Sequence, residues 1–155
     1  DASQRLVEYL NAERSHSWAQ PLEMLGIQYV DAEAIGVGEF AGRKLTIQVV
    51  RALTDPDFWE ALGHQGQVSL SLSLLEAAQV IKAAIELKVG KIPLGIRSSI
   101  TLALDATDIP GLSLDAVIDQ VNEAHGYWIE KQGFDGVWVI GPSREMIHEL
   151  HCQWA

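Results

Sequence analysis

Two strand-like segments, Tyr29–Ala34 and Leu45–Val50, follow each other with no helical pattern between them, and from there on helical and strand patterns alternate. Tyr29–Ala34 has a two-residue period, with Tyr29, Asp31 and Glu33 on one face and Val30, Ala32 and Ala34 on the other. The second segment continues to Arg51, with Leu45, Ile47 and Val49 together and Thr46, Gln48 and Val50 opposite. A chain that opens with two directly connected strands cannot be a doubly wound sheet from its start, because that architecture needs a crossover helix there. The expectation is therefore a mixed sheet.

The remaining patterns fill out that sheet. Residues 3–14 read as a helix with Leu6, Val7 and Leu10 on one side. Gly36, Gly38 and Gly42 suggest a turn or hairpin tip between the two strands, and Asp55-Pro56 opens a short helix carrying Phe58, Trp59 and Leu62. Val68–Leu72 alternates like a strand yet runs directly into a helix, and Ser73 with Glu76 forms a capping box at which the long helix is expected to start. Its stripe Leu74, Ala78, Ile81, Ile85 and Lys88 lies on one helical face, and Gly90 and Pro93 stop it.

Ile100–Ala106 reads as a buried strand. A helix capped by Ser113 follows, with Leu114, Val117, Val121, His125 and Trp128 along one stripe and Gly133 at its C-terminal cap. The apolar run Phe134–Ile140 fits a central strand covered on both faces, and Ile147–Trp154 reads as either a strand or a short helix. Together these predict a single α/β domain over residues 1–155, a three-layer sandwich with a central mixed β-sheet flanked by helices.

With 155 residues, the chain can bury about two-thirds of its unfolded surface, enough for one such core. No stretch is long and apolar enough to span a membrane, and no basic and apolar leader is visible, so a cytoplasmic protein without a membrane partner is expected. The first residue is Asp1 rather than Met, which suggests a piece of a longer chain. The lone Cys152 cannot form an internal disulfide, in keeping with a reducing compartment. A net charge of −10 disfavours broad attraction to nucleic acid and leaves room only for a local basic strip. The candidates are Arg43, Lys44 and Arg51 near the second strand and Lys82, Lys88, Lys91 and Arg97 around the central helix.

The order of elements, with Asp31, the segment Ile47-Gln48-Val49-Val50 and the helical Ile85-x-x-Lys88-x-x-Lys91, resembles the PD-(D/E)XK nuclease superfamily, the restriction-endonuclease-like fold. The resemblance runs from the first helix to Gly141 and rests on short motifs. It implies a divalent metal, Mg²⁺, that polarises a scissile phosphate and helps generate a hydroxide nucleophile. Asp31 then matches the first acid, Gln48 stands at the second acid position and Val50 where a lysine is expected. Gln48 supplies a carbonyl oxygen without charge. Lys88 is the replacement lysine, and Glu33 or Glu8 the replacement carboxylate. The catalytic set implied is Asp31, Gln48 and Lys88, with Asp31 and Glu33 as metal ligands.

Against this stand plainer readings: Asp31 and Glu33 as an edge pair facing solvent, Gln48 as an amide satisfied by backbone, and Lys88 as a residue snorkelling from the last helical turn. Asp105 and Asp108 fit strand-exit turn chemistry. His148, His151 and Cys152 lack the accompanying ligands of a zinc site, and in a regular strand the two histidines point to opposite faces. Trp59, Trp128 and Trp138 sit on apolar patterns as core residues, and no phosphate loop, nucleophile elbow or dinucleotide fingerprint is present. The expectation is a degenerate restriction-endonuclease-like domain that binds nucleic acid or a protein partner, with residual metal-dependent phosphodiester hydrolysis as the activity in question. The alternative is an unrelated α/β interaction domain without catalysis.

Overall fold

The computed structural model describes residues 2–13, 23–30, 33–40, 43–50, 67–106 and 114–153. A six-stranded mixed sheet runs through it in simple sequence order, β1-β2-β3-β4-β5-β6. The strands are β1 (Glu23–Val30), β2 (Glu33–Phe40), β3 (Arg43–Val50), β4 (Ile100–Asp105), β5 (Gly136–Ile140) and β6 (Ile147–Cys152). The first three form an antiparallel meander, β3, β4 and β5 are parallel, and β6 returns antiparallel to β5. The parallel steps are bridged by α2 (Gln67–Lys91), the one-turn α3 (Leu94–Arg97) and α4 (Leu114–Lys131). α1 (Ala2–Glu13) precedes the sheet.

Two apolar clusters show the layering. On one face Leu6, Val7 and Leu10 of α1 pack with Ile47, Val49, Ala103, Trp138 and Ile140. On the other, Ala77, Ala78, Ile81, Ala84 and Ile85 of α2 and Val117, Ile118, Val121 and Ile129 of α4 pack with Val50, Leu102, Leu104, Val137 and Val139. The alternation of β3, β4 and β5 between these clusters is the direct consequence of the two-residue strand period. All of β5 is buried, as its unbroken apolar run requires. The result is a helix layer, a sheet and a second helix layer.

Three local expectations are corrected. The segment Tyr29–Ala34 is not one strand: Tyr29 and Val30 end β1, Glu33 and Ala34 begin β2, and the pairs Tyr29↔Ala34 and Val30↔Glu33 face each other across the hairpin. Its weak alternation comes from the ends of two strands. Gly36 and Gly38 lie inside β2 rather than at a hairpin tip, paired to Ile47 and Leu45 of β3. Strand glycines mark places where another backbone comes close, and α1 crosses β2 on the face of Ile47. α2 begins at Gln67, upstream of the Ser73 box, so Val68–Leu72 is helical. Extending a helix is easier than nucleating a new one, and this prevails over the Ser/Leu alternation. The helix expected around Phe58, Trp59 and Leu62 lies outside the described residues.

The ends of α2 and α4 are tied by one side chain. Pro93 stands at the N-cap of α3, which places Arg97 beneath both helices. Its guanidinium donates to Val89 O at 2.8 Å, to Ile92 O at 2.9 Å and to Gln132 O at 3.2 Å, with the Phe134 ring 5.7 Å away. These carbonyls close helices and would otherwise lack partners. Gly133 leaves α4 with φ +80°, the left-handed conformation expected of a C-terminal cap.

Candidate functional site

β3 and α2 bring two of the expected residues to the same layer. Ile47 and Val49 belong to the α1 core and Val50 to the α2–α4 core, so Gln48 lies on the α2 side of β3. Its partner in β4, Leu102, belongs to that same core. Gln48 is half-buried. Lys88 sits on the sheet-facing stripe of α2, one turn beyond Ala84 and Ile85 and one turn before Ile92, and is 4% exposed. It does not snorkel to solvent. Both side chains are engaged in contacts within the fold.

β2 contributes a position to this face. Ile35 pairs with Gln48, and Glu33 stands two residues earlier on the same strand, so the register assigns Glu33 and Gln48 to one side of the sheet. Asp31 lies outside the described residues. Glu8, the other carboxylate considered, is on α1 and therefore across the sheet from Gln48, where Gln4 Nε2 donates to it at 3.3 Å.

Gln48 and Lys88 do not by themselves make a Mg²⁺ site. That ion wants near-octahedral oxygen ligation with carboxylates among its ligands. Gln48 brings a neutral oxygen, and Lys88 brings a cation into the same layer. Among the described residues no three His, Cys, Asp or Glu side chains gather as a metal-binding group.

Other candidates resolve differently from the sequence reading. Arg97 is not part of a basic strip, because its guanidinium is consumed by the helix ends. Nothing in the sequence marks it beyond its place after Pro93. His148 and His151 do not point to opposite faces. A bulge in β6 pairs His148 with Val139 and His151 with Val137, and both of these belong to the α2–α4 core. A one-residue insertion shifts the register and overrides the strict two-residue alternation. His148 Nε2 approaches Asp115 Oδ1 of α4 to 2.9 Å without hydrogen-bond geometry, an electrostatic contact when the imidazole is charged. Cys152 is half-buried, takes part in no disulfide and packs against the α1 core.

Trp138 is fully buried and meets Tyr9 edge-on, with ring centroids 6.0 Å apart. Trp128 is half-buried with Lys82 Nζ 5.0 Å from its ring centroid. Between α2 and α4, burial lowers the His125 pKa below its usual 6.5, the Lys82 charge lowers it further, and Glu86 opposes them. Lys82 is itself paired with Glu86 at 3.3 Å. No helix among the described residues is long and apolar enough to cross a membrane. No protein-family model, curated protein or solved structure matches the chain.

Proposed function

We propose that the chain is a restriction-endonuclease-like domain whose hydrolytic centre is degraded and which binds nucleic acid without cutting it. The observation that supports this reading is the enclosure of Lys88 on the Gln48 side of the sheet. A lysine that stabilises charge on a scissile phosphate must touch it, and a side chain 4% exposed beneath α2 does not reach a bound strand. Gln48 at the second acid position and Val50 at the lysine position remove metal affinity and charge stabilisation together.

The mixed sheet with helices on both faces is the α/β class that this reading requires. The net charge of −10 makes the binding weak, and its salt dependence comes from the few local Lys and Arg contacts to phosphate. Fluorescence anisotropy of labelled single-stranded and duplex oligonucleotides at low and physiological salt tests it. Binding that weakens linearly in log–log salt plots is the expected result. No binding to any strand at low salt refutes the nucleic-acid reading and favours a protein partner.

A further inference from the structure

We infer that the outer flank of α2 is a self-association surface, on which a second copy of this chain lays the same helix antiparallel. Along α2, Glu76, Val80, Ala83, Leu87 and Gly90 follow one another at intervals of four, three, four and three residues, so they line one seam of the helix. The seam is not the flank that meets α4, which is marked by Lys82 over the Trp128 ring. Nor does it face the sheet, since that side carries the buried Ile81, Ile85 and Lys88. At the middle of the seam lies a groove of about 470 Å³ lined by Val80, Ala83, Ala84, Glu86 and Leu87. Leu87 is 58% exposed beside it, and a Cβ added at Gly90 would meet no atom within 4 Å.

The seam complements itself. A second α2, laid antiparallel about a two-fold axis between Ala83 and Ala84, sets its Leu87 against Val80 and its Val80 against Leu87. The small Ala83 side chains meet near the axis and let the helices come close, so that the two leucines enter the two ends of the groove. Residues 76 and 91 stand equally far from that axis, and Glu76 of each copy therefore meets Lys91 of the other. A parallel pairing would oppose Glu76 to Glu76 and Lys91 to Lys91, so charge selects the antiparallel one. Glu76, Ala83, Leu87 and Lys91 are all exposed, and Val80 is half-buried at the edge of the core.

The test is the solution mass of the full chain over a concentration series at physiological salt, by sedimentation equilibrium. Wild type, Ala83→Glu, Glu76→Lys, Lys91→Glu and the Glu76→Lys/Lys91→Glu double variant are compared. Wild type is expected to rise to twice the monomer mass and no further, as a closed two-fold pair requires. Ala83→Glu brings carboxylates to the axis beside Glu86 of both copies and is expected to remain monomeric. Its melting temperature at low concentration should match wild type, because Ala83 is exposed. Each single reversal at Glu76 or Lys91 is expected to weaken the dimer about tenfold, since symmetry repeats the like-charge contact at both ends. The two reversals move the net charge in opposite directions, so weakening by both is local to the seam. The double variant restores opposite charges and is expected to associate like wild type. A wild type that stays monomeric at every concentration overturns the inference and leaves the groove to a different partner. A dimer that survives Ala83→Glu, or single reversals that the double variant does not rescue, also overturns it. If Ala83→Glu does not fold, the charge variants decide.

Discussion

Gln48 of β3 and Lys88 of α2 lie on the same side of the sheet, one half-buried and the other 4% exposed. Each has an interaction within the fold, on a face whose other buried residues are mostly aliphatic.

Removing the Lys88 charge is expected to be costly. Lys88→Met removes a buried charge from its interaction within the fold, and breaking a buried charge arrangement costs about 3–5 kcal/mol. Lys91→Met, three residues on and exposed, should stay within about 0.5 kcal/mol of wild type. Urea unfolding of both proteins measures the difference. Equal stabilities would show that Lys88 is not held by polar partners.

The same enclosure predicts chemical protection. Under mild amine acetylation, Lys91 and Lys131, both exposed, should react while Lys88 stays unmodified until the domain unfolds. Peptide mass spectrometry reads the modified sites. Equal labelling of Lys88 and Lys91 in the folded protein would contradict the burial.

Arg97 joins α2 to the turn after α4 through three carbonyl acceptors. Arg97→Ala should destabilise by about 2–4 kcal/mol, as hydrogen bonds to a charged donor are worth about 1.5–3 kcal/mol each and are not additive. Arg97→Lys should recover little, because a single ammonium cannot reproduce the planar fork. Denaturant midpoints of the two variants test both statements.

His125 makes stability pH-dependent with a definite sign. Its folded-state pKa lies below the usual 6.5, chiefly through burial and then through Lys82. Between the folded value and 6.5 the unfolded chain binds more protons, so stability rises with pH across that window. Acidification through it destabilises the fold. Melting temperatures from about pH 8 down to about pH 5 should fall less steeply in His125→Gln than in wild type. An unchanged slope would remove His125 as a source of the dependence.

The layers of the fold were legible because burial writes itself into period. The α2 stripe, the unbroken apolar β5 and the alternation of β3 each correspond to a face packed against a helix. Where two short pieces join, period misleads: Tyr29–Ala34 reads as one strand because the ends of β1 and β2 are both short and weakly alternating. The β6 bulge was not legible either, since an extra residue in a strand leaves no compositional trace around Leu150. Lys88 was placed on the right stripe by spacing alone, but its burial depends on what α2 packs against, which no local window contains. Arg97 was misread for the same reason, its three acceptors coming from residues up to 35 positions away.

Cleavage measured directly bears most on whether this domain binds without cutting. Labelled single-stranded and duplex DNA and RNA are incubated with excess protein in Mg²⁺ or Mn²⁺ and resolved on denaturing gels, beside anisotropy of the same strands. The account predicts binding with no metal-dependent product. Metal-dependent cleavage that is lost in Lys88→Met and in Asp31→Ala would contradict it, because the enclosed lysine would then be working on the phosphate.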